Sequence, residues 1–182
     1  HHADITKPDT PSDEIRKELE NFYIYLVKCQ DKHSLIKIKS KNKVTKMISN
    51  ISVMIQNSSI NINPHLDEVK LILAFLVSPN IEDTDIRSNA INCLFLLIPY
   101  LDNFNKDYLS PIIDSLFSLS TEVDKKQKSS KRIVVSNIFS RFIKQMKSET
   151  DKKKRIMWLK IIFYCIFPSL QRQQDPTILS EC

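Results

Sequence analysis

Residues 85–101 read DIRSNAINCLFLLIPYL. An acidic stretch leads in, Arg87 stands at the head, and Ala90, Ile91, Leu94, Leu97 and Ile98 recur at the 3.6-residue spacing of an amphipathic helix. Such a helix needs partners on its apolar face, because that stripe cannot be left in water. Copies of the pattern recur on both sides, so the chain reads as stacked helical hairpins.

The recurrence has a fixed length. Moved forward by 45, Arg87, Ala90, Leu94, Leu97 and Ile98 fall on Arg132, Val135, Phe139, Phe142 and Ile143. Moved back by 43, the same helix meets Val44, Met47, Ile51, Met54 and Ile55. The preceding stripe, Leu66, Val69, Leu73 and Leu76, moved forward by 43 falls on Leu109, Ile112, Leu116 and Leu119.

Helix pairs at this distance have the roughly 40 to 47 residue period of HEAT and armadillo units. The stretch D-x-x-R-x-x-A-x-x-x-L around Asp85 and Arg87 resembles the second helix of a HEAT repeat. The closing residues 155–182, RIMWLKIIFYCIFPSLQRQQDPTILSEC, resemble the maestro-type HEAT proteins through Trp158, Pro168, Leu170, Gln171, Asp175, Pro176 and Cys182. The resemblance implies an all-α fold, an α-α superhelix in the form of a short HEAT/armadillo-like solenoid of about seven helices. It also implies that Asp85 and Arg87 are repeat-structural residues. Two units depart from it, since position 44 is Val and Arg132 has no acid just before it.

Composition narrows the chemistry. There is no glycine among the 182 residues. P-loops, G-x-G-x-x-G turns and the G-x-S-x-G nucleophile elbow are therefore excluded as written. Tight two-residue hairpins, whose turns need positive φ, become improbable. Helices tolerate the lack, because they can end in Asn, Ser or a following Pro. Cys29, Cys93 and Cys165 sit in apolar helical runs and Cys182 stands apart, with no C-x-x-C pair, so the first three read as small buried hydrophobes in a reducing compartment. His33 and His65 have no partner at metal spacing, and no serine has a His and an acid in a recognisable pattern. The expectation is no metal, no cofactor, no small-molecule substrate and no catalysis.

Taken in order, residues 1–11 read as a flexible arm that begins with the remnant of a purification tag, His1 and His2. Residues 12–182 read as a single helical-repeat domain, a fragment of a longer protein. Ser12 is placed as a cap before Leu19, Phe22, Tyr23, Leu26 and Cys29, and Asp107 as a cap before Leu109. The last helix spans 155–170, and its IIFYCIF core is apolar on every side, which places it in the middle of a stack. Phe22, Phe75, Phe95, Phe139, Phe142 and Phe163 fall on helical stripes and read as core.

Charge is unevenly placed. Residues 57–124 hold 3 basic and 10 acidic side chains, whereas 125–160 hold 13 basic and 2 acidic. A further cluster covers Lys32, Lys37, Lys39, Lys41, Lys43 and Lys46. Basic loops on a chain of pI ≈ 9.1 suit phosphates, an acidic protein tail or an anionic surface. The candidate contact residues are Lys125, Lys126, Lys128, Lys131, Arg132, Lys152, Lys153, Lys154, Arg155 and Trp158, the last being the aromatic beside the KKKR run. No run of 18 apolar residues is present, so no membrane span is expected.

The expected function is a non-catalytic scaffold or adaptor. It would bind a protein partner in a larger intracellular assembly, nuclear or cytoplasmic, along the groove of its stacked second helices. Two alternatives are a nucleic-acid- or chromatin-associated module acting through the basic loops, and a compact regulatory helical bundle around residues 156–170.

Overall fold

The structure, a computed structural model, describes residues 11–57, 59–101, 103–127 and 131–172, with side chains outside 118–138. The described chain is all-α. Its helices are α1 (Pro11–Lys28), α2 (Lys41–Gln56), α3 (Leu66–Leu76), α4 (Thr84–Leu97), α5 (Lys106–Gln127), α6 (Lys131–Ser148), α7 (Lys152–Ile161) and α8 (Phe167–Arg172). A 3₁₀ turn at Asn63–His65 leads into α3, another at Ile98–Tyr100 closes α4, and a π-helical segment, Ile162–Ile166, joins α7 to α8. No strand forms among the described residues.

Helix starts are set by side chains that accept orphan N–H groups. Ser40 Oγ accepts from Lys43 N–H at the head of α2. Asp83 Oδ1 accepts from Asp85 and Ile86 at the head of α4, and Asp151 Oδ1 from Lys153 and Lys154 at the head of α7. That last cap starts the closing helix at Lys152, three residues before the start expected from the sequence. Two other expected caps are displaced. Ser12 already lies inside α1, its Oγ 3.2 Å from His65 Nε2, and α5 is capped by Asn105, whose Oδ1 accepts from Tyr108 N–H, rather than by Asp107.

The helices pack in two rows. In one, α1 lies on α3, with Arg16 Nε 3.7 Å from Glu68 and Tyr23 edge-on to Phe75. α3 is tied to α5, where the Tyr108 hydroxyl donates to Lys70 C=O and Ser115 Oγ donates to Val77 C=O. α5 is tied in turn to α8 by Arg172 and Ser169, both on Asp114. In the other row α2 lies along α4 and α4 meets α6, where the Phe95 and Phe142 rings are 5.0 Å apart. The core runs between the rows. Val44, Met47, Ile51, Met54 and Ile55 are all buried, as are Ala90, Leu94, Leu97 and Ile98, each 43 positions after one of the last four. Leu73, Leu94 and Leu116 are buried too, and Phe139 packs against the core half-buried.

The connections also contribute. Ile36 and Ile81, each in a loop, are buried, and Ile36 N–H donates to Asn80 C=O, so the lysine-rich loop is pinned against the acidic one. With no glycine available, the turn at 31–35 puts Ser34 at φ 64. Asp31 Oδ1 supports that turn by accepting from His33 and Leu35 N–H.

The closing helix corrects one expectation. It is not covered on all sides: Ile162, Cys165, Ile166 and Leu170 are buried, but Phe163, Tyr164 and Phe167 are exposed. Phe163 therefore leaves the expected core. The π-segment lies just before Pro168, which has no N–H to donate and whose ring crowds the carbonyl four residues back, so the helix widens there and Phe167 N–H reaches back to Ile162 C=O.

Candidate functional site

The second-row helices α2, α4 and α6 share an outward face, and a cleft of about 460 Å³ opens along it. Its floor is apolar, made by Ile48, Cys93 and Phe95. Its walls are polar: Ser49 and Ser52 from α2, Asn89 and Asn92 from α4, Arg141 and Gln145 from α6. Each of these follows from the helical period, because residues one or two positions off the buried stripe point to the rim.

Arg141 is the organising side chain. Its Nη2 donates to Asn92 Oδ1 at 2.7 Å, and its guanidinium carbon sits 3.9 Å above the centre of the Phe95 ring. Those contacts hold the cation against the wall. Burial pulls the Arg141 pKa below its ordinary value. Burial raises that of the Cys93 thiol, against a smaller opposing effect from the Ser52 hydroxyl, so the floor of the cleft carries a neutral S–H and not a thiolate nucleophile. The walls therefore present hydroxyl and amide groups that both donate and accept, with one fixed cation. That inventory matches a peptide backbone with an acidic side chain. Cys93 and Phe95 were read from the sequence as core, and none of the polar wall residues was singled out. The only trace of the cleft in the sequence is not local: Ser49 and Asn92 are both polar and lie 43 positions apart, the offset of the apolar stripes beside them.

The residues selected from the sequence are dispersed. Lys125 and Lys126 fall in the last turn of α5, and Lys131 and Arg132 in the first turn of α6, while their side chains and all of Lys128 lie outside the described residues. Lys152, Lys153, Lys154 and Arg155 form the first turn of α7. At 1.5 Å per residue, the 18 residues of α6 set these two groups about 27 Å apart along the chain's path. Lys152, Lys153 and Arg155 are exposed, and Lys154 leans over the Tyr100 ring at 5.7 Å.

Trp158 is not available to a ligand. It is 1% exposed, stacked on Phe95 at 6.0 Å and edge-on to Phe142 at 6.1 Å. The indole faces inward because it lies on the same helical face as Ile161, Ile162 and Cys165. Asp85 and Arg87 also part company. Asp85 Oδ2 reaches Lys41 Nζ of α2 at 3.1 Å with its side chain 75% exposed, whereas Arg87 is buried in α4.

Among the described residues no three His, Cys, Asp or Glu converge as a metal site, and no helix is long and apolar enough to cross a membrane. Cys29, Cys93 and Cys165 are free and buried, as their apolar runs predicted, and Cys182 and the Asp175–Pro176 step lie outside the described residues. No family model, curated protein or solved structure matches the chain.

Proposed function

We propose that this protein is a non-catalytic scaffold of the HEAT/armadillo-like kind, a short helical-repeat superhelix that holds an extended segment of a partner protein in the α2–α4–α6 cleft. The observation that carries the reading is the cleft itself. Helices α2, α4 and α6 contribute polar side chains to one trough, and Arg141 is clamped by Asn92 and Phe95 at its edge. The recurrence of apolar residues at offsets of 43 and 45, with the α2 and α4 stripes both buried, supports the repeat architecture. Stacked units of this kind bury one another's apolar faces and leave a continuous binding surface.

Peptide-display selection on the full chain tests the proposal. Selected peptides are expected to lose at least tenfold in affinity when Arg141→Glu reverses the wall charge, and to keep it when Lys28→Glu alters the exposed end of α1. Selection of no peptide, or of peptides indifferent to Arg141→Glu, overturns it.

A second reading, a nucleic-acid module, draws support from α7. Four cations fill its first turn, at the end where the helix dipole is already positive. Their placement costs helix stability, which is understandable if an anion lies there. Counterion release makes salt the test: duplex affinity should fall steeply from about 50 to 200 mM salt, and a flat titration ends this reading.

A further inference from the structure

Among the described residues, eleven large hydrophobic side chains are exposed, and five of them lie on one face of the closing helical run. These are Ile156 at 46%, Leu159 at 41%, Phe163 at 55%, Tyr164 at 52% and Phe167 at 40%. Their spacing of three, four, one and three residues is that of the buried stripes elsewhere in the chain. The opposite face is already used, since Trp158, Ile161, Cys165 and Ile166 are buried against α5 and α6. A contiguous apolar patch of this kind marks an interaction surface, whereas single exposed hydrophobes do not.

The rings are held down against the protein. Phe163 and Phe167 are 5.4 Å apart, Phe167 is 5.4 Å from Phe139 on α6, and Tyr164 is 5.7 Å from Phe104. Together they form one contiguous, exposed apolar surface. The apolar ridge of a helix packs into the grooves of such a surface, and an anionic bilayer is the competing occupant that the vesicle arm of the test separates.

Charge selects the occupant. Residues 139–172 contain nine Lys or Arg against Glu149 and Asp151, and the Asp151 carboxylate is already engaged as the α7 cap. Lys152, Lys153, Arg155 and Lys160 are exposed along the same run. A second copy of the chain would set these cations against their own kind. A nucleic acid would satisfy the cations and leave the five apolar groups wet. We infer that the outer face of residues 152–172 docks an acidic amphipathic helix of a partner protein, its apolar stripe on Leu159, Phe163 and Phe167 and its carboxylates on Lys152, Lys153 and Lys160. This face is formed by other elements than the cleft and does not depend on the cleft reading.

The test uses the full chain and an N-acetylated helical peptide with Leu at helical spacing flanked by Glu. Its twin has every Glu replaced by Lys. The Glu peptide is expected to bind at least tenfold more tightly than its twin, to weaken at least tenfold with Phe163→Asp and with Lys160→Glu, and to be indifferent to Arg141→Glu. Both variants sit at exposed positions, and an unchanged melting temperature verifies their folding. Equal binding of the two peptides, or none, overturns the inference. So does co-sedimentation with phosphatidylserine vesicles, or a concentration-dependent dimer, that is lost in Phe163→Asp.

Discussion

Lys41 Nζ lies 3.2 Å from Asp83 Oδ2, which ties the first turn of α2 to the residue that caps α4. The other oxygen of the same carboxylate accepts the Asp85 and Ile86 amides. One side chain thus both starts α4 and sets it beside α2. Burial alone would raise the Asp83 pKa, but the Ile86 N–H and the Lys41 ammonium outweigh it and hold the carboxyl below its ordinary value of 3.8.

Asp83→Ala should cost about 1 kcal/mol of stability through the lost cap. Asp83→Asn keeps a capping oxygen and loses only the charge, so its deficit should be smaller and should shrink with added salt. Because the folded-state pKa is depressed, this contribution is present above the unfolded value and lost as pH falls through the lower folded value. Denaturant titrations at about pH 6 and pH 3 check the sign, and the Asn variant should lack this dependence.

The lone tryptophan reports on the α4–α6–α7 junction. Trp158 should emit at short wavelength, resist quenching by acrylamide and shift to the red on unfolding. Trp158→Ala should cost about 3–5 kcal/mol as a core cavity, while Phe163→Ala on the same run should stay within about 0.5 kcal/mol. Equal costs at the two positions would contradict the inward and outward faces described above.

Burial raises the Cys165 thiol pKa to about 11 from an ordinary 9.0, only partly opposed by Lys106 and Arg172. Native Cys165 should accordingly be alkylated far more slowly at pH 8 than the same thiol in denaturant. A raised folded-state pKa favours the neutral form, so its stabilisation is intact below about pH 9 and is lost as pH rises towards about 11. Mass-resolved labelling of each cysteine, with Cys165→Ala as control, measures both effects.

Ser34 occupies the left-handed region that glycine enters without a Cβ penalty. That penalty is roughly 1–2 kcal/mol, and the extra freedom of glycine in the unfolded chain offsets part of it. Ser34→Gly should therefore raise stability by about 0.5–1 kcal/mol. A fall in the melting temperature would show that Ser34 stabilises the turn in a way its backbone angle does not reveal.

Helix existence and phase were legible in the sequence, because an apolar stripe at 3.6 spacing is a local property that any buried face must satisfy. Val44, Met47 and Ile51, or Val69, Leu73 and Leu76, are buried for that reason. Cap positions were legible only in part. Asp107 and Asn105 are both competent caps, and the choice of Asn105 rests on where the preceding loop delivers the chain. The tertiary structure alone decided which side of IIFYCIF is covered, since a run that is apolar all round carries no phase. It also decided that Trp158 faces Phe95 and Phe142 while Phe163 faces water, and that Ile36 and Ile81 reach the core from loops. Arg141, Asn92 and Ser49 lie on three helices, so no local pattern announces the cleft they form, and it exists only once α2, α4 and α6 stand side by side.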